Sequence, residues 1–97
     1  MHVGVCRIQF RLPENLSLKG KRGVLKSIIS RVSHKFNVSV AEIDDNDLWQ
    51  LATIGFACVS NDKRHVNEIL SRVTDFINES RFDIEIIDCR IEILPVF

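Results

Sequence analysis

Positively charged side chains crowd the stretch LSLKGKRGVLKSII in the first third of this 97-residue sequence. Lys19, Lys21 and Arg22 fall in the first turn of a helix predicted there, at the end where the helix dipole disfavours cations. A bound polyanion would reverse that penalty, which is roughly 0.3 to 1 kcal/mol for each exposed charge. Free backbone N–H groups at a helix start, with Gly20 and Gly23 beside them, also suit a phosphate. The stretch therefore predicts an anion site.

Three further cations are assigned to the same site. Lys26 lies on the same side of the predicted helix as Lys19 and Arg22. The first predicted strand projects Arg7 and Arg11 from its open face and leads into the loop before the helix, so we expect Arg11 to converge with the helix start. The alternative is that these long side chains lie over the sheet edge and stay solvated. The candidate nucleic-acid-binding residues are Arg7, Arg11, Lys19, Lys21, Arg22 and Lys26.

The charge of the chain is divided along its length. Residues 1–36 carry eight Lys or Arg and one acid, whereas residues 37–97 carry five Lys or Arg and twelve Asp or Glu, although the whole chain is neutral. Such asymmetry is typical of nucleic-acid-binding or self-associating proteins. If the two halves interleave in space, the charges mix instead.

The acidic segment DDNDLWQ could in principle hold a hard cation. It lacks EF-hand spacing, since the sixth position from Asp44 is Trp49 rather than Gly and the twelfth is Gly55 rather than Glu. We therefore predict no metal there. Trp49 is predicted to anchor the hairpin or to contact a partner, because Trp is favoured in both places.

No combination of side chains predicts catalysis. The cysteines show no C-x-x-C or metal-like spacing and fall in strand-like runs, which predicts buried free thiols at Cys6, Cys58 and Cys89. The histidines share no motif with them. Acylphosphatases share the topology predicted below, but their Gly-rich loop is not reproduced after the first strand. We expect a non-enzymatic protein without a cofactor.

Hydrophobic periodicity predicts the elements that must position these side chains. Strict alternation over residues 3–12 predicts a strand, and Ser17 is a candidate N-cap for a helix whose apolar stripe reaches Phe36. Two strand-like runs, 38–43 and 51–60, flank the acidic loop and predict a hairpin.

The last third of the chain predicts a second helix and a final strand. Asp62 is a candidate N-cap, and the following stripe is supported by Glu68 and Arg72 at i, i+4. Residues 82–94 alternate with a change of phase at Ile86 and Ile87, which predicts a β-bulge.

The order strand, helix, strand, strand, helix, strand predicts one domain over residues 1–97. Two helices with one apolar stripe each must cover the same sheet face, which gives an α+β ferredoxin-like βαββαβ sandwich with a four-stranded antiparallel sheet. The open face would carry small and apolar residues around Val3, Val5 and Val59, and we expect a homodimer to bury it. The alternative is that the C-terminal LPVF folds over this face.

Composition is that of a packed globule, with 45% hydrophobic and 27% charged residues. No run approaches the roughly 18 apolar residues of a membrane span, and Arg7 and Gln9 interrupt any signal-like stretch. We expect a cytoplasmic protein with no membrane contact.

Four ordered motifs, SLKGKRGVLKS, FNVSVAE, DLWQLA and VSND, resemble the YlxP-like family of small bacterial proteins over nearly the whole chain. The resemblance implies a ferredoxin-like domain of unknown function. It also implies a ribosomal or RNA role, because the genes of the family often lie beside those of translation initiation factor two and ribosome-binding factor A. Members often carry an acid and an arginine in place of Gly20 and Gly23.

The sequence thus predicts a protein that binds structured RNA or a ribosomal particle through the basic patch. The open face of the first strand has no aromatic residue and the chain has no Tyr, so phosphate contacts rather than base stacking on the sheet are expected. The alternative is a small regulatory module that binds a protein or metabolite and acts as a homodimer.

Overall fold

The computed structural model describes residues 1–80 and 82–97. The elements follow one another in the order β-α-β-β-α-β. Their bounds are β1 His2–Arg11, α1 Leu18–Lys35, β2 Ser39–Asp44, β3 Leu51–Ser60, α2 Lys63–Asn78 and β4 Glu85–Pro95.

The four strands form one antiparallel sheet in the order β2-β3-β1-β4, which confirms the ferredoxin-like prediction. The long strands β1 and β3 lie at the centre and pair along their whole length, from His2 opposite Ser60 to Arg11 opposite Leu51. Because β1 and β3 run antiparallel, the helices that follow them begin at opposite ends of the sheet. The start of α1 and the loop between β2 and β3 therefore share one end.

Both helices cover the same sheet face and bury the core there. Alternate residues of β1 and β3 face the helices. Each helix contributes a row of buried side chains that are separated by four, three and four positions in the sequence. The fully buried side chains include Ile8, Phe10, Ile54, Ile28, Val32, Val66, Leu70 and Val73.

The predicted caps and the predicted helix ion pair are confirmed. The Ser17 hydroxyl accepts from the backbone N–H of Gly20 at 3.0 Å, and the Asp62 carboxylate accepts from that of Arg64 at 2.9 Å. Arg72 donates to Glu68 one helical turn earlier.

The bulge in β4 is also confirmed. Gln9 pairs with Asp88 and Phe10 with Ile86, so Ile87 is the additional residue. The strand begins at Glu85 rather than at residue 82, which shortens the predicted element. It remains paired through Pro95, which lies opposite His2.

The open face of the sheet has the predicted register. Val3 lies opposite Val59, Val5 opposite Ala57, and the C-terminal strand continues this face instead of folding over it. Phe97 is fully exposed. The alternative in which LPVF folds over the open face is therefore wrong, because residues through Pro95 are held in the sheet.

Gly4 sets the distance between β1 and α2, and its replacement by alanine is expected to destabilise the fold. A Cβ atom at this position would overlap Val66 Cγ1 and lie 2.9 Å from Leu70 Cδ1, both in side chains without solvent exposure. We expect Gly4→Ala to lower the free energy of unfolding by about 1 to 3 kcal/mol, which urea denaturation measures.

Gly23→Ala is the matched control. A Cβ there meets nothing within 4 Å on the exposed side of α1, so helix propensity predicts a gain of roughly 0.5 to 1 kcal/mol. Equal effects of the two substitutions would contradict the close approach of α2 to β1.

Candidate nucleic-acid interface

Lys21 lies in the interior, and the expectation that it belongs to an exposed patch is wrong. Its side chain has no solvent exposure. It occupies the first position of the buried stripe that continues through Leu25, Ile28 and Val32. Lys21 stands four, seven and eleven residues before these three, a helical spacing that is a signal for an inward orientation, but the sequence prediction followed its charge instead.

The Lys21 ammonium ties the loop between β2 and β3 to α1. Its Nζ atom donates to the backbone carbonyls of Asp45, Leu48 and Leu51 at 2.5, 2.7 and 3.0 Å. Glu42 Oε2 lies 3.3 Å from the same atom, in an ion pair rather than an oriented hydrogen bond. Three carbonyls and one carboxylate thus satisfy a charge that could not otherwise be buried.

Further side chains fix the same loop. Asp45 adopts a left-handed backbone conformation, with φ of 62°. Its carboxylate accepts from Thr53 Oγ1 and from Gln9 Nε2. These hydrogen bonds, that of Thr53 first, lower the pKa of Asp45. The carboxylate therefore stabilises the folded loop above its ordinary pKa, and this contribution is lost as the pH falls towards and below the lowered pKa.

The loop before α1 is joined to the same structure through Asn15. Its side-chain Nδ2 donates to the carbonyls of Ser17 and Trp49, and its own carbonyl accepts from Gln50 Nε2 at 3.0 Å. A Cβ atom on Gly20 would overlap Asn15 Oδ1. The space that a ligand was expected to use beside Gly20 is thus occupied by Asn15.

The two arginines of β1 face the open side of the sheet and have acidic neighbours. Arg7 lies 3.8 Å from Asp44 Oδ2 and 3.7 Å from Asp88 Oδ2, and Arg11 lies 3.8 Å from Glu85 Oε2. Exposed pairs of this kind contribute only about 0 to 1 kcal/mol, but they cancel the local charge. At these positions the alternative holds, in which the two halves of the chain interleave and their charges mix.

The remaining predicted cations share one side of α1. Lys19, Arg22 and Lys26 are exposed and follow the spacing i, i+3, i+7. Within residues 1–80 and 82–97, no carboxylate oxygen lies within 4 Å of their charged nitrogens. We call these three residues the cation stripe.

A groove of about 400 Å³ runs between α1 and the edge strand β2, next to the cation stripe. Arg22 and Lys26 line it together with the apolar Leu25 and Ile29, and Glu42 lines it from β2. The predicted patch of six cations is therefore divided by the fold. Two arginines are paired on the open sheet face, Lys21 is buried, and three cations remain together on α1.

Trp49 is exposed, with 56% of its surface accessible, and does not anchor the hairpin. It lines a groove of about 550 Å³ with Arg11, Leu16, Leu48 and Gln50. Of its two predicted roles, partner contact is the one that remains as a prediction.

Two of the three cysteines are buried as expected, but Cys89 is exposed because β4 is an edge strand. Its Sγ lies 3.8 Å from that of Cys6 across neighbouring strands. Burial, and then the neighbouring Cys89, raises the pKa of Cys6 to about 12. Cys6 is therefore a protonated, unreactive thiol at neutral pH.

In the part of the chain that the structure describes, no three or more His, Cys, Asp or Glu side chains are grouped as metal ligands would be. Among the same residues, neither helix is both long and apolar enough to cross a membrane.

Two comparisons relate the chain to known proteins. The profile of the family described as "Protein of unknown function (DUF503)" matches residues 3–91. The chain is also similar to the "Uncharacterized protein YlxP" of Bacillus subtilis (strain 168), with 48% identity over 62 residues that cover 64% of this chain and 67% of that protein. The chain thus belongs to the DUF503 family, the YlxP-like family of unknown function that its sequence motifs resemble.

Proposed function

We propose that this protein is a non-enzymatic RNA-binding protein that contacts structured RNA, alone or in a ribosomal particle, through the cation stripe. The observation that carries the proposal is that Lys19, Arg22 and Lys26 lie together on one side of α1 and, among the described residues, have no carboxylate oxygen within 4 Å. The other three cations of the predicted patch, Arg7, Arg11 and Lys21, are paired with acids. Three exposed like charges on one helical face repel one another, and an anionic partner would relieve that repulsion.

The form of the stripe favours a phosphate backbone as the partner. It spans seven residues, or about 10 Å of helix, which matches several consecutive phosphates of a nucleic-acid strand. Arg22 can bind a phosphate with two parallel hydrogen bonds, and Lys19 and Lys26 act as point charges on either side. Binding of this kind reads shape and charge rather than base sequence.

Salt dependence tests the proposal directly. The affinity of the wild-type protein for a labelled structured RNA is measured by fluorescence anisotropy between about 50 and 200 mM salt. Three phosphate contacts predict a slope of log affinity against log salt of roughly −2 to −3, or a loss of about 20- to 40-fold over this range. A flat salt response, or no binding at low salt, would refute the proposal.

A second candidate function, a regulatory module that acts as a homodimer, is supported by the open sheet face. Val5, Ile43, Val59 and Leu94 are all exposed there. Four strands of six to eleven residues give this face an area on the order of 600 Å², the lower end of what each partner buries in a stable dimer. Arg7 and Arg90 are paired with Asp44 and Asp88, so two cations and two acids balance one another on this part of the sheet.

Sedimentation equilibrium over a range of protein concentrations tests the dimer. We expect a reversible monomer–dimer equilibrium that shifts by at least tenfold towards monomer in Val59→Lys, because a charge would be buried in the apolar end of the interface. Lys63→Met on α2, which changes a charge away from the sheet, is the control. A protein that is monomeric at all concentrations would exclude this use of the face.

A further inference from the structure

The strongest unassigned feature is an exposed apolar surface at the end of the sheet where α1 begins. Trp49, Leu48 and Leu16 are 56%, 47% and 79% exposed, and they lie along one groove of about 550 Å³. Grouped apolar side chains of this size are typical of binding surfaces, because leaving them in water is unfavourable.

The backbone that carries Trp49 is held on both sides. Its own carbonyl accepts from Asn15, the carbonyl of Leu48 accepts from Lys21, and the carbonyl of Gln50 accepts from the N–H of Leu12 at 2.9 Å. Since a fully buried lysine is one of the groups that hold the loop, the exposed ring is presented from a rigid base. Binding would then require little ordering of the loop.

The ring of Trp49 is also free to accept a flat ligand. Among the described residues, it takes part in none of the aromatic or cation–π contacts, which involve only phenylalanine rings. Two acids close to Trp49 in the sequence already have polar partners. Asp44 is paired with Arg7, and Asp45 accepts from Thr53 and Gln9.

The backbone of Trp49 lies close to the start of the cation stripe. Asn15 Nδ2 donates to both the Trp49 carbonyl, at 2.5 Å, and the Ser17 carbonyl, at 2.7 Å. The Trp49 backbone is therefore within roughly 10 Å of that of Lys19, two residues after Ser17. An exposed aromatic ring beside exposed cations is the arrangement that binds single-stranded nucleic acid, with the ring stacking a base and the cations contacting phosphates.

We propose that Trp49 stacks an unpaired base of the RNA whose phosphates contact the cation stripe. This inference rests on the proposed function. It specifies the RNA as a hairpin loop, a bulge or a single-stranded end next to a duplex. The reason is that the cation stripe suits a continuous phosphate backbone, whereas the ring requires an unstacked base. The stacking surface is a loop outside the sheet, whereas RNA-recognition motifs stack bases on aromatic residues of the sheet itself.

The sequence provides the probe for the experiment. Trp49 is the single tryptophan and the chain has no tyrosine, so intrinsic tryptophan fluorescence reports this ring alone. The protein is titrated with an end-labelled RNA hairpin and with a blunt duplex of the same stem, and both Trp49 fluorescence and the anisotropy of the RNA label are recorded. We expect both RNAs to bind and only the hairpin to quench Trp49.

Variants separate stacking from charge. Trp49→Ala should weaken hairpin binding by roughly 5- to 150-fold and leave duplex binding unchanged, and Trp49→Phe should restore most of the affinity. Phe97→Ala, which removes another exposed aromatic ring, should change neither. Thermal unfolding confirms that each variant folds.

The outcomes distinguish this inference from the proposed function. If both RNAs bind with equal affinity and unchanged Trp49 fluorescence, stacking is refuted and the cation stripe stands. If Trp49→Ala weakens both RNAs equally, an unpaired base is not its ligand. If neither RNA binds, the proposed function fails and the inference fails with it. If a protein partner instead quenches the fluorescence of Trp49 saturably, the ring is assigned to protein docking.

Discussion

We expect Lys21→Met to lower the free energy of unfolding by about 3 to 5 kcal/mol. Methionine retains most of the apolar stem but removes the ammonium, which leaves the carbonyls of Asp45, Leu48 and Leu51 without their donor and Glu42 without its counter-ion. In a domain of this size, that loss corresponds to a decrease in Tm of roughly 12 °C or more. Urea and thermal unfolding followed by circular dichroism measure it.

Lys19→Met is the matched control for this prediction. It removes the same charge two residues earlier, from a side chain in solvent, and should change the stability by no more than about 0.5 kcal/mol. In the double variant Lys21→Met/Glu42→Gln, part of the lost stability should return, because the partly buried residue 42 no longer carries a charge without a counter-ion. If Lys21→Met and Lys19→Met unfold at the same midpoint, the buried ammonium does not support the loop.

The second large effect concerns RNA affinity. Arg22→Glu/Lys26→Glu should weaken the binding of a structured RNA by roughly 100- to 1,000-fold at low salt, since two charge-assisted contacts become repulsive. The slope of log affinity against log salt should become less negative by about 2. Both residues are exposed and line the groove beside β2, so the fold should be retained. Anisotropy titrations at several salt concentrations give both quantities.

Lys63→Glu/Arg64→Glu changes the net charge by the same amount at the start of α2, the opposite end of the helix layer. We expect only a several-fold loss of affinity from this control, through the overall field of the protein. Equal losses in the two double variants would show that general charge, and not the cation stripe, attracts the RNA.

Most of the fold followed from the sequence because it depends on local patterns. Alternation of inward-facing and outward-facing residues predicted the central strands, and the N-cap candidates Ser17 and Asp62 predicted where the helices start. The change of phase at Ile86 and Ile87 predicted the bulge. Each of these signals involves residues within about four positions of one another, where backbone geometry alone determines which side chains share a face.

The candidate site was predicted only in part. Three of its six cations, Lys19, Arg22 and Lys26, share one side of a helix, and helical spacing was enough to group them. Sequence could not show that Arg7 and Arg11 meet acids contributed by β2 and β4. Those acids are more than thirty residues away in the chain, and only the strand order places them beside β1.

What the sequence by itself determined is the order and type of the elements, the antiparallel sheet and the face that the helices cover. What only the tertiary structure decided is which charges remain available, as Lys21 and Trp49 illustrate. A lysine can lie in solvent or in the interior depending on whether distant carbonyls converge on it, and here those of the loop between β2 and β3 do. That convergence depends on long-range packing, which local spacing does not encode. It allows the lysine to be buried, and the loop that the lysine holds exposes Trp49 to solvent.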